Sequence, residues 1–246
     1  MAQNIYDNQD FFDGYAQLNR SVHGLNGAPE WPSIVRMLSK MDMLDVVDLG
    51  CGYGWFCRYA RENGAKHVLG LDISQKMLNK AKQMTSDSEI TYRQEDLEQV
   101  ELPTNTYDLV YSSLTLHYIE NLSTLLKTIY QSLTSGGYFI FSAEHPIYTA
   151  PTNPDWIVDK DGHKSWPVNS YQAEGHRRTN WLTEGVLKQH RMIGTYLNLL
   201  IGQGFTIQHV EEWGPTPQQI IENPSLDEEK ERPMLFLVSV QKSNNK

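Results

Sequence analysis

A Rossmann-like, doubly wound α/β sheet is the fold class this sequence predicts, and three observations predict it. Between about residues 44 and 143, short β-branched runs alternate with stretches of helical periodicity. A glycine-rich turn, Gly50-Cys51-Gly52-Tyr53-Gly54, follows the first run directly. The first three runs end at or close to carboxylates, Asp48, Asp72 and Asp96. Such alternation needs right-handed crossovers, and in these sheets ligands gather beyond the carboxyl ends of the strands.

Residues 1–43 read as an N-terminal helical lid. Tyr6, Phe11, Phe12, Tyr15 and Leu18 form a loose apolar set, broken by Gly24, Gly27 and Pro29. A helix starting near Glu30, with Pro32 in its first turn, turns Ile34, Val35, Leu38 and Met41 inward. Residues 44–143 form the nucleoside-binding half. The first strand spans 44–49, and its helix, 54–63, stops at Asn63-Gly64. The second strand spans 67–72, and Ser74 caps the helix that runs on to Met84. A short third strand lies at 90–93 and a fourth at 107–112. An amphipathic helix at 122–133 ends at Ser135-Gly136-Gly137, before a fifth strand at 138–142.

Beyond His145 the pattern changes. Prolines, glycines and three tryptophans (Trp156, Trp166, Trp181) crowd residues 146–185. That is too long for an ordinary connection, so residues 144–190 are expected to form a substrate cap with short strands of its own. Residues 191–246 complete the sheet: a helix over 190–203 and two strands, 205–212 and 234–240, joined by a charged loop, 214–233. The whole chain of 246 residues suits one domain.

A net charge of −9 and the absence of a basic tract make nucleic acid an unexpected partner. The two cysteines, Cys51 and Cys57, suggest neither a disulfide framework nor a metal site. No apolar run approaches the roughly 20 residues that span a bilayer, so no membrane partner is expected and the expected location is the cytoplasm. The oligomeric state stays open between monomer and homodimer.

The glycine turn decides the cofactor. A dinucleotide site places its third glycine three residues after the second. Here the glycines fall as G-x-G-x-G, and Trp55 holds that third position. Asp48, two residues before Gly50, repels a pyrophosphate and suits a cation. S-adenosylmethionine (SAM) has an ammonium, a sulfonium and no phosphate. Asp72, 22 residues after Gly50, is placed to accept hydrogen bonds from ribose hydroxyls. Asp96 suits an exocyclic amine, and Met77 an adenine face.

These segments, in order, are Val-Val-Asp-Leu-Gly-Cys-Gly-Tyr-Gly, Leu-Asp-Ile-Ser-x-x-Met-Leu, Glu-Asp-Leu, Tyr-Asp-Leu-Val-Tyr-Ser-Ser-Leu-x-Leu-His-Tyr and Ser-Gly-Gly-Tyr-Phe-Ile-Phe-Ser. Together they resemble class I SAM-dependent methyltransferases, most of all the small-molecule branch. The resemblance implies a seven-stranded sheet in the order 3-2-1-4-5-7-6 with its last strand antiparallel. It implies that Gly50, Cys51 and Gly52 contact the methionine part of SAM, with Asp48 near its ammonium. It also implies Asp72 and Ile73 at the ribose, Asp96, Leu97 and Met77 around adenine, and Ser112 and Ser113 beside the methionine. Tyr15 and Arg20, with Tyr6, resemble lid residues, and Arg20 suits the SAM carboxylate.

Methyl transfer is an in-line displacement that needs alignment and dryness, and a base where the acceptor is a hydroxyl or a protonated amine. The base candidates at the strand ends are His145 and His117, with Glu144 orienting an imidazole or a substrate amine. No metal is implied. The cap adds His190, Arg191, Trp181 and Arg178 as substrate contacts, which suits a small planar acceptor and allows it an anionic group. The expected function is transfer of a methyl group to O or N of a small molecule, with S-adenosylhomocysteine (SAH) as product. Two alternatives stay open: a SAM-binding module without transferase activity, and a nicotinamide-dependent oxidoreductase.

Overall fold

Three short helices lead into the sheet in the computed structural model, which describes residues 3–243. They are α1 (Gln9–Tyr15), α2 (Asn19–Val22) and α3 (Trp31–Met37). The alternating segment follows as β1 (Asp45–Leu49), α4 (Trp55–Glu62), β2 (His67–Asp72), α5 (Gln75–Gln83), β3 (Ile90–Gln94), β4 (Tyr107–Ser113), α6 (Leu122–Ser132) and β5 (Leu133–Glu144). Next come α7 (Pro146–Thr149), β6 (Ile157–Val158), β7 (Lys164–Ser165), β8 (Gly175–Trp181) and β9 (Thr183–His190). The chain closes with α8 (Ile193–Gln203), β10 (Phe205–Trp213), α9 (Pro217–Glu222) and β11 (Leu235–Lys242).

The main sheet runs β3-β2-β1-β4-β5-β11-β10. Strands β1 to β5 pair in parallel, and β11 pairs antiparallel with both β5 and β10. This is the implied order 3-2-1-4-5-7-6. Both faces of the central strands are covered. Val47, Leu49, Phe139 and Phe141 join one apolar layer, whereas Val46 and Ile140 join the opposite one. That alternation is the period-two geometry of a strand, and it explains why β1 reads as a continuous apolar run.

Local signals set the element ends. Gly54 (φ +71°) precedes α4, and Gly64 (φ +94°) follows it. The Ser74 hydroxyl accepts the Met77 amide and caps α5. Asp7, from the N-terminal segment, accepts hydrogen bonds from both the Ser74 hydroxyl (2.6 Å) and the Lys76 amide (3.1 Å). The N-terminal segment is thereby fastened to the end of β2.

Three expectations are corrected. The fifth strand is longer than 138–142, because residues 134–137 bulge where the β4–β5 register jumps from Tyr107↔Leu133 to Leu109↔Tyr138. The helix expected from 190 starts at Ile193, because β9 continues to His190. The segment 214–233 is not a plain loop. Thr216 and Gln219 form a capping box, with Pro217 at the first helical position, and start α9; a 3₁₀ turn, Pro224–Lys230, follows it.

The expected cap strands form two antiparallel hairpins, β6/β7 and β8/β9. Among the described residues, no helix is long and apolar enough to cross a membrane.

Candidate active site

A cavity of about 1100 Å³ opens at the carboxyl ends of β1, β2 and β4. Its floor is the glycine turn. The amides of Gly50 and Cys51 both donate to the Leu71 carbonyl, at 2.8 and 2.9 Å. These two hydrogen bonds tie the turn to β2 and leave Gly52 facing open space. Gly52 takes φ +52°, and a Cβ there would meet nothing within 4 Å. Gly50 is required for a different reason: a Cβ would sit 2.0 Å from the Thr115 hydroxyl.

Two buried carboxylates stand beside this floor. One oxygen of Asp72 accepts the Gly52 amide and the other the Ser74 amide, both at 2.8 Å. Burial nevertheless pushes its pKa up to about 6, against those hydrogen bonds. Asp48 is 2% exposed and accepts a hydrogen bond from the Cys57 thiol at 3.4 Å. Burial raises its pKa to about 7, with a smaller contribution from the Asp72 charge. Among the described residues no cationic side chain pairs with either carboxylate, so this floor suits a cationic, hydroxyl-bearing ligand. Ile73, Met77, Asp96 and Leu97 continue the wall from Asp72, as an adenosine would require.

The N-terminal segment roofs the cavity. Tyr15 packs edge-on against Tyr6 and Tyr53, at ring separations of 5.4 and 5.9 Å. Arg20 also lines the cavity, and its Nη2 donates to both oxygens of buried Glu30, at 3.0 and 3.2 Å. On the far side lie Ser113, His117, Tyr118, Glu144, Tyr148 and Trp181. The Glu144 carboxylate is held by Lys188 at 2.5 Å. His117 accepts the Glu144 backbone amide through Nδ1, and burial lowers its pKa to about 4.

A family model described as a methyltransferase domain matches residues 47–141. The crystal structure of a SAM-dependent methyltransferase from Mesorhizobium loti is similar with a TM-score of 0.86 and 52% identity, covering 89% of this chain and 100% of that one. A putative SAM-dependent methyltransferase from Listeria monocytogenes is similar at 41% identity and TM-score 0.81, covering 88% and 99%. An uncharacterized protein of Haemophilus influenzae is 34% identical over 241 residues, 95% of each chain. The chain belongs to the class I SAM-dependent methyltransferases.

The donor of this methyltransferase is SAM. The expected cofactor residues Asp48, Gly50, Cys51, Gly52, Asp72, Ile73, Met77, Asp96, Leu97, Ser113, Tyr15 and Arg20 all line the cavity. Ser112 does not. Its hydroxyl turns into the sheet and donates to the Leu49 carbonyl at 2.8 Å.

The acceptor-side expectations divide. His117, Glu144 and Trp181 line the cavity. His145 does not reach it: the ring is fully buried, accepts the Ile147 amide through Nδ1 and donates through Nε2 to Glu212 at 2.9 Å. His190 is fixed between the Thr149 hydroxyl and the Tyr171 carbonyl, both at 2.8 Å. Arg191 donates to the carbonyls of Ile119 and Glu120. Arg178 is exposed on β8. These four are therefore not brought to the cavity. Trp156 and Trp166 pack around Arg232 with Tyr148 and build the core of the inserted segment.

The cavity also has members that the sequence reading missed. Glu30, Tyr118, Gln219, Glu222 and Leu226 all line it. The capping-box spacing of Thr216 and Gln219 is the signal that could have placed α9.

Proposed function

We propose that this enzyme methylates an O or N atom of a small molecule seated between the ends of β4 and β5 and the β8/β9 hairpin. One observation carries the reading: the cavity is continuous from Asp48 and Asp72 to Glu144 and Trp181. Its volume exceeds what one nucleoside-sized ligand needs, and leaves room for a small acceptor.

SAM supplies an electrophilic methyl carbon on a sulfonium. The chain's own residues do the rest. Asp48 and Asp72 take the donor's positive and hydroxyl-bearing parts, and the turn at Gly50–Gly52 lets the backbone come close. Tyr6, Tyr15 and Trp181 cover the site and exclude water, which holds the reacting atoms aligned. The arginines that would have met an anionic acceptor are spent on backbone carbonyls or face solvent, which disfavours an anionic group on the acceptor. We also propose that it acts in the cytoplasm.

The enclosed acceptor end disfavours a SAM-binding module without activity. The test is SAH release from SAM across a metabolite collection, with SAH binding followed by calorimetry. Binding without turnover on any acceptor would favour the module. Binding of a nicotinamide dinucleotide in place of SAH would overturn both readings.

A further inference from the structure

We infer that the acceptor is an amine, methylated on nitrogen, with Glu144 as the carboxylate that anchors it; this rests on the methyl-transfer reading above and names its substrate class. The first support is charge. The charged side chains lining the cavity, among the described residues, are Glu30, Asp48, Asp72, Asp96, Glu144 and Glu222, against Arg20. Arg20 is already paired with Glu30. A carboxylate or phosphate acceptor would enter a negative field with no cation to receive it. A neutral amine meets no such repulsion, and the positive charge it gains on methylation is of the sign this field favours.

The second support is the state of Glu144. It closes β5 at the acceptor end and lines the cavity. Lys188, which does not line the cavity, grips one oxygen from behind at 2.5 Å and lies 5.3 Å from the centre of the Trp181 ring. The other oxygen, Oε2, is buried and has no hydrogen-bond partner. A buried acceptor atom left unpaired is costly unless a ligand donor meets it. The aromatic rings of Tyr118, Tyr148 and Trp181 line the same cavity, and aromatic faces favour a cation.

The third support is the state of the imidazoles at the ends of β4 and β5. Transfer to a hydroxyl needs a group that removes its proton. His117 is the imidazole beside Glu144, but its Nδ1 lone pair accepts the Glu144 amide, so the neutral ring carries its proton on Nε2 and can only donate. His145 lies outside the cavity, bonded to Glu212. A neutral amine needs no base. Its nitrogen lone pair forms the N–CH₃ bond while the C–S bond breaks and its electron pair stays on sulfur. Positive charge passes from sulfur to nitrogen, and the product leaves as an ammonium. Glu144 and the surrounding rings face the charge as it arrives, which is where electrostatic stabilisation accelerates a reaction.

The test uses SAM with a deuterated methyl group, the full-length enzyme and a small-molecule cell extract, read by mass spectrometry. The expected product carries the label on nitrogen. With that amine, Glu144→Gln should lose about ten- to a hundredfold in kcat/KM while SAH affinity stays within about twofold. Unchanged SAH binding shows that the variant is folded, and Glu144→Asp should recover part of the loss. Label on oxygen, sulfur or carbon would overturn the amine but keep the methyl-transfer reading. No label at all, with SAH bound, would overturn the transfer reading and the amine with it. A Glu144→Gln enzyme as active as wild type would remove Glu144 as the anchor.

Discussion

The Asp72 carboxylate accepts the Gly52 amide at 2.8 Å, so the end of β2 holds the glycine turn of β1 in place. One side chain thus shapes the floor of the donor site and offers acceptors to the ligand that lies on it. Asp72→Ala removes both contributions and orphans the Gly52 and Ser74 amides. SAH affinity should fall by at least about a hundredfold, as expected for two charge-assisted hydrogen bonds. Asp72→Asn keeps an acceptor for one amide and should lose nearer tenfold. Calorimetry decides it, and near-normal binding by the alanine variant would sink the ribose assignment.

The pH dependence follows from the two buried acids. Asp48 and Asp72 titrate near 7 and 6 in the fold, well above ordinary carboxylates. Both therefore hold protons in the folded chain that the unfolded chain has already released. Their contribution to stability is complete below about pH 4 and is lost as pH rises through 6 to 7. A ligand bearing an ammonium selects the ionised forms, so its affinity should rise over the same window. The increase in melting temperature caused by SAH should be larger at pH 8 than at pH 5.5. Asp48→Asn should flatten that difference and raise the melting temperature of the free enzyme. Equal increases at the two pH values would mean that the ligand does not meet these carboxylates.

His145 is expected to matter for stability rather than for chemistry. Its ring is buried, bonded at both nitrogens and outside the cavity. His145→Ala removes a buried ring with its two hydrogen bonds and should cost about 0.5–3 kcal/mol. Turnover per folded molecule and SAH affinity should hold. A large loss of turnover with an unchanged denaturation midpoint would restore His145 to the reaction.

Much of this was readable from residue order, and the remainder has physical causes. Strand ends and the glycine turn are local features, so Asp48, Gly52, Asp72 and Asp96 could be placed before any packing was known. Facing direction is different. Glu144 and His145 are neighbours at the end of β5, and only one of them meets the cavity. Alternation says that neighbouring strand side chains point to opposite faces, but which face carries the site depends on elements far away in the chain. The same limit applies to Arg191, whose carbonyl partners lie 71 and 72 residues earlier. The contribution of α9 to the cavity wall was missed for a simpler reason. Its capping box begins inside a charged, proline-bearing stretch that reads as loop by composition.

The roof is held by an apolar junction at Phe11. Phe11 is fully buried and meets Trp181 edge-on at 5.4 Å, which joins the N-terminal helices to the β8/β9 hairpin. Gln3 reinforces that junction by donating to the Gly185 carbonyl and accepting the Leu187 amide. Truncating a buried Phe costs about 3–5 kcal/mol. Here its aromatic neighbours, Tyr6, Tyr15 and Trp181, cover the site, so the loss should appear as local undocking rather than global unfolding. Phe11→Ala should therefore speed SAH dissociation and expose the segment before residue 30 to limited proteolysis. The main transition should shift less than a global cost of that size requires, because the seven-stranded sheet keeps its own layers. An enzyme with unchanged SAH release and an intact N-terminal segment would show that the roof is held elsewhere, through Asp7 on Ser74 and the Arg20–Glu30 pair.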